Sequence, residues 1–209
     1  TPSKQPRAGT DKGIRAATRV GAGIFVSRVL GFLRDRVFAH YFGSSDFADV
    51  WRAALRLPNV IRNLLGEGTL SASMIPVYSE FVGKGEEEKA KRFAGAVLGL
   101  LAVVSGAIAL TGVLVAPLLV QAFFPKWTPE KQEITTTLVR ILFPMSGIFV
   151  LAAWAMGVLD SHRRFFVSYV APAFWNVALI GAMVAGGMFW GLGQRDLVVV
   201  LAWGALAGG

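Results

Sequence analysis

Residues 93–124 read FAGAVLGLLAVVSGAIALTGVLVAPLLVQAFF, a run of 32 residues without a charged side chain. An α-helix needs about 20 apolar residues to cross a hydrocarbon core of about 30 Å, so this run is long enough to span a membrane. Apolar runs recur along most of the chain, which is 54% hydrophobic, 16% charged and contains 24 glycines. This composition predicts an all-α fold, a polytopic helical membrane bundle.

Short polar or Gly/Pro-containing turns divide the sequence into six predicted helical segments. They cover residues 14–43, 46–81, 88–124, 131–159, 165–190 and 197 onward. The last segment has 13 residues, which give about 20 Å of helix and do not cross the bilayer core. We therefore expect the natural polypeptide to continue beyond Gly209, because open backbone groups in hydrocarbon are costly. The predicted organisation is a tail, residues 1–12, followed by an N-terminal transmembrane lobe, residues 13–209, of about six helices with the last one truncated.

Lysine and arginine are distributed unevenly between the alternate ends of these segments. The N-terminal tail and the second and fourth loops contain ten of them, whereas the first, third and fifth loops contain three. Cytoplasmic loops of membrane proteins retain positive charge, so the N-terminus is predicted to be cytoplasmic. The tail has no apolar h-region, so it is not a cleavable secretory signal.

Several functional classes are disfavoured by composition. The chain has no cysteine, and its two histidines, His40 and His162, are predicted near opposite membrane faces, so neither a metal site nor a cofactor is expected. A net charge of +8 would suggest nucleic acid in a soluble protein, but here the charges flank and enter membrane spans. No nucleic-acid partner is expected.

The first two predicted helices differ from the next three, which carry almost no charge, because they contain several arginines within the span. Arg28 is about 21 Å into the first helix and Arg62 is about 24 Å into the second, so neither reaches a headgroup easily. A charged side chain near the bilayer centre costs roughly 2.5 to 3.5 kcal/mol. This hairpin contains six arginines and only four carboxylates. The arginines are Arg28, Arg34, Arg36, Arg52, Arg56 and Arg62, and the carboxylates are Asp35, Asp46, Asp49 and Glu67.

Two interpretations of this cluster compete. The arginines could be neutralised by the nearby carboxylates and only hold the bundle together, but they outnumber those carboxylates by two. Alternatively, they line an aqueous cavity and bind an anion, since a guanidinium stays protonated and forms bidentate hydrogen bonds to phosphate oxygens. Helical phase gives mixed support, because Arg28 and Arg34 lie about 120° apart on one helix. We favour a cavity that binds a phosphate or diphosphate.

The residues that carry a family resemblance follow one another with matching spacing from Ser27 to Gly68. They are the run Ser27-Arg28-Val29-Leu30-Gly31-Phe32-Leu33-Arg34-Asp35, then Asp49, Leu57-Pro58-Asn59, Arg62 and Glu67-Gly68. This pattern resembles the N-terminal portion of the MurJ (MviN) family of bacterial lipid II flippases, in the MOP exporter superfamily. Weaker similarity continues through Pro76 and the Pro172–Asn176 segment.

The resemblance implies a transporter rather than an enzyme, in a two-lobed helical bundle that moves lipid-linked peptidoglycan precursor across the bacterial inner membrane by alternating access. Arg28, Arg34 and Arg62 match arginines that bind the substrate in that family. Asp35, Asp49 and Glu67 match acidic positions that support function there. The implied partners are lipid II or a related polyprenyl-diphosphate lipid, the phospholipid membrane, and the remaining C-terminal half of the same polypeptide.

Three other hypotheses stay open at this stage. The substrate could be a different undecaprenyl-diphosphate-linked oligosaccharide, because the arginines select the diphosphate rather than the sugars. The chain could be a membrane phosphotransferase that uses Asp46 and Asp49, although the further acidic pair that such a metal site needs is missing. It could also be a scaffold without transport activity, which predicts a dry and fully paired arginine cluster.

Overall fold

The computed structural model describes residues 8–63, 73–162 and 165–209, and in these ranges it contains helices and turns but no strand. The helices are α1 (Ala8–Phe42), α2 (Asp46–Arg62), α3 (Ile75–Gly83), α4 (Glu87–Phe123), α5 (Pro129–Ser161), α6 (Phe165–Val184) and α7 (Gln194–Gly208). A π-helical turn, Ala185–Phe189, extends α6. The predicted all-α fold is confirmed.

Three of the described helices are long and apolar enough to cross a membrane. They are α4, α5 and the Ala171–Phe189 part of α6 with its π-helical turn. One side of α4 shows an apolar surface of this kind. Leu110, Leu114 and Leu118 repeat there every four residues and are 62%, 69% and 66% exposed. Such an exposed leucine stripe is stable against lipid and would be costly in water.

The two longest helices, α4 and α5, pack against each other along their length. The contact is close at Gly112 of α4, where a Cβ atom would overlap the ring of Phe143 on α5. The turn that joins these helices ends at Thr128, whose side chain accepts a hydrogen bond from the backbone N–H of Lys131 at 3.4 Å. Pro129 then occupies the first turn of α5, where its missing N–H costs nothing.

Helices α1, α2, α6 and α7 complete one hydrophobic core with α4 and α5, whereas α3 packs in a second, smaller cluster. Helix α1 packs on α6, α2 packs on α5, and α7 lies between α5 and α6. Leu138 and Leu142 of α5, Leu179 of α6 and Leu201 of α7 are at most 2% exposed within it. The core therefore joins the arginine-containing helices α1 and α2 to the apolar helices.

Glycine makes the turn between α1 and α2. Gly43 has a φ of +53°, a conformation that residues with a Cβ adopt at a cost, and its N–H bonds to the Ala39 carbonyl at 3.0 Å. The chain then reverses into α2, and Phe38 of α1 lies 6.4 Å from Trp51 of α2, ring centre to ring centre. We call this side of the bundle, which also contains the α4–α5 and α6–α7 turns, the Gly43 end.

Most predicted helix boundaries agree with the structure to within three residues, and two of the predicted segments differ by more. Helix α1 begins at Ala8 rather than residue 14, because hydrophobic periodicity does not detect a polar first turn. The predicted segment 46–81 comprises two described helices, α2 and α3, on either side of residues 64–72. Glu67 and Gly68 lie outside the described residues.

Helix α3 ends at the opposite side of the bundle from Gly43. Lys84, which follows it, donates a hydrogen bond to Glu80 at 2.6 Å. This contact lowers the pKa of the Glu80 carboxyl and raises the pKa of the Lys84 ammonium group. Gly85, with a φ of +73°, then turns the chain into α4.

Candidate functional site

A cavity of about 410 Å³ lies between α1, α2, α6 and α7, close to the Gly43 end. Its polar walls come from Arg34 and Asp35 of α1 and from Arg52 of α2. Its apolar walls include Trp51 of α2 and Trp175 of α6. The cavity is therefore a mixed polar and aromatic space within the helical bundle, in the region where the sequence predicts an anion site.

Of the predicted cavity arginines whose side chains are described, Arg34 is the most firmly held. Its Nη1 donates a hydrogen bond to Asn176 Oδ1 at 2.9 Å. Its Nε and Nη2 donate to Asp35 Oδ1 at 3.0 and 2.7 Å. Asn176 is only 5% exposed, so a buried amide on α6 fixes the direction of the guanidinium from α1.

The hydrogen bonds of Arg34 leave part of its guanidinium available. A guanidinium has five N–H groups, and three of them donate to Asp35 and Asn176. The other two have no acceptor among the described side chains. The Arg34 side chain is 28% exposed, so an anion in the cavity can approach these two N–H groups.

The ring of Trp175 packs against the guanidinium of Arg34. The centre of the Arg34 guanidinium lies 5.6 Å from the centre of the Trp175 ring, within range of a cation–π interaction. The indole is itself held. Its Nε1 donates to the Ala205 carbonyl of α7 at 3.2 Å, and its ring packs edge-to-face with Phe149 of α5, with the ring centres 6.0 Å apart. Helices α5, α6 and α7 thus all contribute to the position of one arginine on α1.

Asp49 is directed away from Arg34 and towards α5. Its Oδ1 lies 3.6 Å from Arg52 Nη1, and its Oδ2 accepts a hydrogen bond from Lys131 Nζ at 3.4 Å. Lys131 also donates to Asp46 Oδ1 at 2.7 Å and lies 4.5 Å from the centre of the Trp127 ring. One lysine of α5, 15% exposed, therefore pairs with both acidic residues of the first turns of α2.

Comparison with known proteins identifies the family. The family model described as Lipid II flippase MurJ matches residues 38–209, which is most of the chain. The chain belongs to the lipid II flippase MurJ family. The predicted resemblance is thereby confirmed, and the family is named for transport of a lipid, which agrees with the prediction that the chain is not an enzyme.

Individual members of the MurJ family align with nearly the whole chain. The Lipid II flippase MurJ of Burkholderia cenocepacia is 30% identical over 197 residues, which are 93% of this chain and 37% of the relative. The Probable lipid II flippase MurJ of Rhizobium meliloti is 33% identical over 202 residues, covering 94% and 37%. That of Buchnera aphidicola (strain APS) is 30% identical over 186 residues, covering 88% and 36%.

A solved MurJ structure has the same fold. The structure described as Lipid II flippase MurJ in an inward closed conformation superposes with a TM-score of 0.74 at 25% identity, over 90% of this chain and 39% of that one. The chain therefore spans little more than a third of the length of the relatives it matches. Its apolar helices and its MurJ membership together identify a multi-pass inner-membrane protein.

The arginines of the first helical hairpin lie on different surfaces of the bundle. Arg34 lines the cavity with Arg52, whereas Arg28 and Arg56 are exposed and do not line it. Arg36 lies on the other side of α1 and lines a separate cavity. Three of the arginines, Arg28, Arg36 and Arg56, have no carboxylate within 4 Å among the described residues. Complete pairing, as the scaffold hypothesis predicts, is therefore absent from this part of the hairpin.

Two predicted MurJ-type site residues remain without a described side chain. Arg62 ends α2, and the position of its side chain lies outside the described part of the structure. Glu67 lies in residues 64–72, which are not described. Their roles stay predictions, as do those of Arg28, Arg34, Asp35 and Asp49.

Sequence reasoning missed three residues of the site. In the sequence, Asn176 and Trp175 belong only to the segment with weaker family similarity. Lys131 is one of the three basic residues counted in the first, third and fifth loops. A buried amide in an apolar span was the available signal for Asn176, because such a group needs a partner. No local signal indicates Trp175 or Lys131, since their partners lie far away in the sequence.

Proposed function

We propose that this chain forms a substrate-binding lobe of a lipid II flippase and that Arg34 binds the diphosphate of the lipid-linked precursor. The supporting observation is the held guanidinium, which presents two unused N–H groups at a 410 Å³ cavity in the membrane bundle. Phosphate oxygens match this geometry because a guanidinium donates two parallel hydrogen bonds to them. The identity of the lipid, lipid II, is inferred from the name of the family.

Arg28 and Arg62 complete the proposed binding site along the path of the substrate. Arg28 lies six residues before Arg34, about 9 Å along α1, and it has no carboxylate partner in the described ranges. Because the Arg28 side chain is exposed and has no such partner there, it is free to reorient towards an arriving phosphate. Asp35 and Asp49 orient Arg34 and Arg52, and Glu67 acts as a further acidic residue of the same hairpin.

The proposed mechanism is alternating access with the N-terminus in the cytoplasm. The precursor enters from the cytoplasmic leaflet, its diphosphate is bound by the arginines, and this lobe then moves relative to the C-terminal part of the polypeptide. The uneven loop charges support this orientation. No covalent bond changes, so no catalytic residue, cofactor or metal is part of the proposal.

The decisive experiment compares arginine variants of the full-length protein in a lipid II translocation assay. Arg34→Ala removes a charge-assisted bidentate contact, for which about 1.5–3 kcal/mol is typical, so the apparent affinity for lipid II should fall about 10- to 150-fold. Arg34→Lys keeps the charge without the planar donor pair and should restore only part of this affinity.

Arg140→Ala provides the matched control. Arg140 is an exposed arginine within α5 that does not line the cavity. Its replacement should leave the affinity for lipid II within about twofold of the wild-type value, because surface changes away from a site are usually small. Equal losses in Arg34→Ala and Arg140→Ala, or translocation unaffected by Arg34→Ala, would refute the proposed role of Arg34.

A different undecaprenyl-diphosphate-linked oligosaccharide remains the second candidate substrate, because Arg34 is proposed to bind the diphosphate and not the sugars. Translocation of lipids with different headgroups by the same full-length protein separates the two. The phosphotransferase hypothesis is disfavoured by Lys131, whose ammonium group lies between Asp46 and Asp49 where a divalent ion would bind. The phosphotransferase hypothesis predicts a phosphotransfer activity that depends on a divalent metal ion and that Asp49→Asn abolishes.

A further inference from the structure

A second cavity, of about 450 Å³, lies on the other side of α1 from Arg34. It is lined by Arg36, Val37, Ala39, His40 and Tyr41 of α1 and by Val184 of α6. At 100° per residue, Arg34 and Arg36 differ by about 200°, which explains why neighbouring arginines reach different cavities. This cavity plays no part in the flippase mechanism proposed above.

The second cavity is cationic and has no acidic lining residue. Arg36 and His40 are both exposed and lie one helical turn apart. Neither has an ion-pair partner within the ranges that the structure describes, and the centre of the His40 ring lies 5.0 Å from that of the Tyr41 ring. Arg36 brings a full positive charge with up to five N–H donors, and the His40 ring adds another N–H donor.

An exposed apolar surface continues from the cavity towards the middle of the helices. On α1, Val29 and Leu33 precede Arg36 and His40 on one face, at spacings of four, three and four residues, and they are 41% and 46% exposed. On α6, Gly181 and Val177 continue the face of Val184 in the same direction. Val177 is 53% exposed, and a Cβ at Gly181 would meet nothing within 4 Å.

The cationic part of this surface lies at membrane-interface depth. Arg36 is six residues before Phe42, the last residue of α1, and is therefore about 9 Å from the helix end. A long arginine side chain covers most of this distance. Exposed Trp190 lies at the same end, after the π-helical turn, where an amphipathic indole favours the headgroup region.

We propose that this surface binds one anionic phospholipid of the leaflet at the Gly43 end. The phosphate contacts Arg36 and His40, and an acyl chain lies along Val29 and Leu33 on α1 and along Gly181 on α6. A phospholipid has the same sequence of properties, an anionic group at the interface followed by an apolar chain towards the bilayer centre. Basic pockets between membrane helices bind anionic headgroups for this reason.

Native mass spectrometry of the full-length protein in detergent tests the site with phosphatidylglycerol and phosphatidylcholine as probes. The wild-type protein should retain phosphatidylglycerol in preference to phosphatidylcholine. Arg36→Gln should weaken phosphatidylglycerol binding about fivefold, the usual effect of one arginine near a membrane surface, and R36Q/H40Q should weaken it further. Arg195→Gln is the matched control, because Arg195 is an exposed arginine at the same end that already pairs with Glu130.

A steric variant tests the acyl-chain part without changing charge. Gly181→Leu fills open space on α6, so it should fold normally and still reduce phosphatidylglycerol binding. A photo-crosslinking residue at Leu33 should capture lipid in membranes. The proposal is overturned if Arg36→Gln and Arg195→Gln weaken binding equally, if phosphatidylcholine binds as well as phosphatidylglycerol, or if the residue at Leu33 captures another part of the polypeptide. Unimpaired translocation in R36Q/H40Q would leave the flippase proposal intact.

Discussion

Lys131→Met tests whether an ionic contact joins α2 to α5 at the Gly43 end. Lys131 lies in the first turn of α5 and pairs with Asp46 at 2.7 Å and with Asp49 at 3.4 Å. Methionine preserves most of the apolar stem and removes only the ammonium group. The variant therefore isolates the electrostatic contribution of the contact.

The magnitude follows from how exposed each partner is. The Lys131 side chain is 15% exposed, whereas those of Asp46 and Asp49 are 81% and 54% exposed, so water screens both pairs. Two such pairs contribute about 0.2–1 kcal/mol each. The cation–π contact with Trp127 at 4.5 Å adds about 0.5–1 kcal/mol. We expect Lys131→Met to lower the free energy of unfolding by about 1–3 kcal/mol.

Reversible unfolding of the full-length protein in detergent micelles measures this change. Double-mutant cycles of Lys131→Met with Asp46→Asn and with Asp49→Asn then separate the two pairs, and Asp46 should show the larger coupling because its contact is shorter. A destabilisation below about 0.3 kcal/mol, or cycles in which the changes are simply additive, would refute the reasoning. Translocation measured on the same variants reports whether Asp49 must be held towards α5.

Two further substitutions test the contact between Trp175 and Arg34 and the packing of α4 on α5. Trp175→Leu should raise the apparent KM for lipid II about 2- to 30-fold in the full-length translocation assay, because it removes a cation–π contact of about 0.5–2 kcal/mol beneath Arg34. An unchanged KM would contradict this role. Gly112→Val should destabilise the protein by about 1–3 kcal/mol in micelle unfolding, because the new side chain overlaps Phe143, whereas Gly106→Val on the same helix meets nothing within 4 Å and should cost less. Equal effects at the two glycines would argue against the close α4–α5 contact.

The apolar helices could be predicted well from sequence because their signal is local. Residues 88–124 and 131–159 were predicted as spans, and the structure places α4 at Glu87–Phe123 and α5 at Pro129–Ser161. Each span needs only its own run of apolar residues and a turn at either end. The predicted segment 46–81 is less regular, because periodicity alone does not separate α2 from α3.

The site could be predicted only in part because its geometry depends on distant contacts. The sequence indicated that carboxylates cannot neutralise all six arginines, and Arg28, Arg36 and Arg56 indeed have no such partner within the described ranges. It did not indicate that Asn176, 142 positions away, would hold Arg34. Helical phase alone separates Arg36 from Arg34, whereas the pairing of α1 with α6 depends on the tertiary packing of the whole bundle.

The net charge of the cavity determines how much of the negative charge of a diphosphate it can neutralise. Its charged lining residues are Arg34, Asp35 and Arg52, which sum to a single positive charge. A diphosphate diester carries about two negative charges, and an unpaired charge in a low-dielectric site is costly. Asp49 does not line the cavity, but its Oδ1 lies 3.6 Å from Nη1 of the lining residue Arg52, so it adds no positive charge and partly offsets this arginine. At least one more cation is therefore needed. Arg28 has no carboxylate partner within the described ranges and lies about 9 Å from Arg34 along α1, which makes it the nearest cation on that helix outside the second cavity.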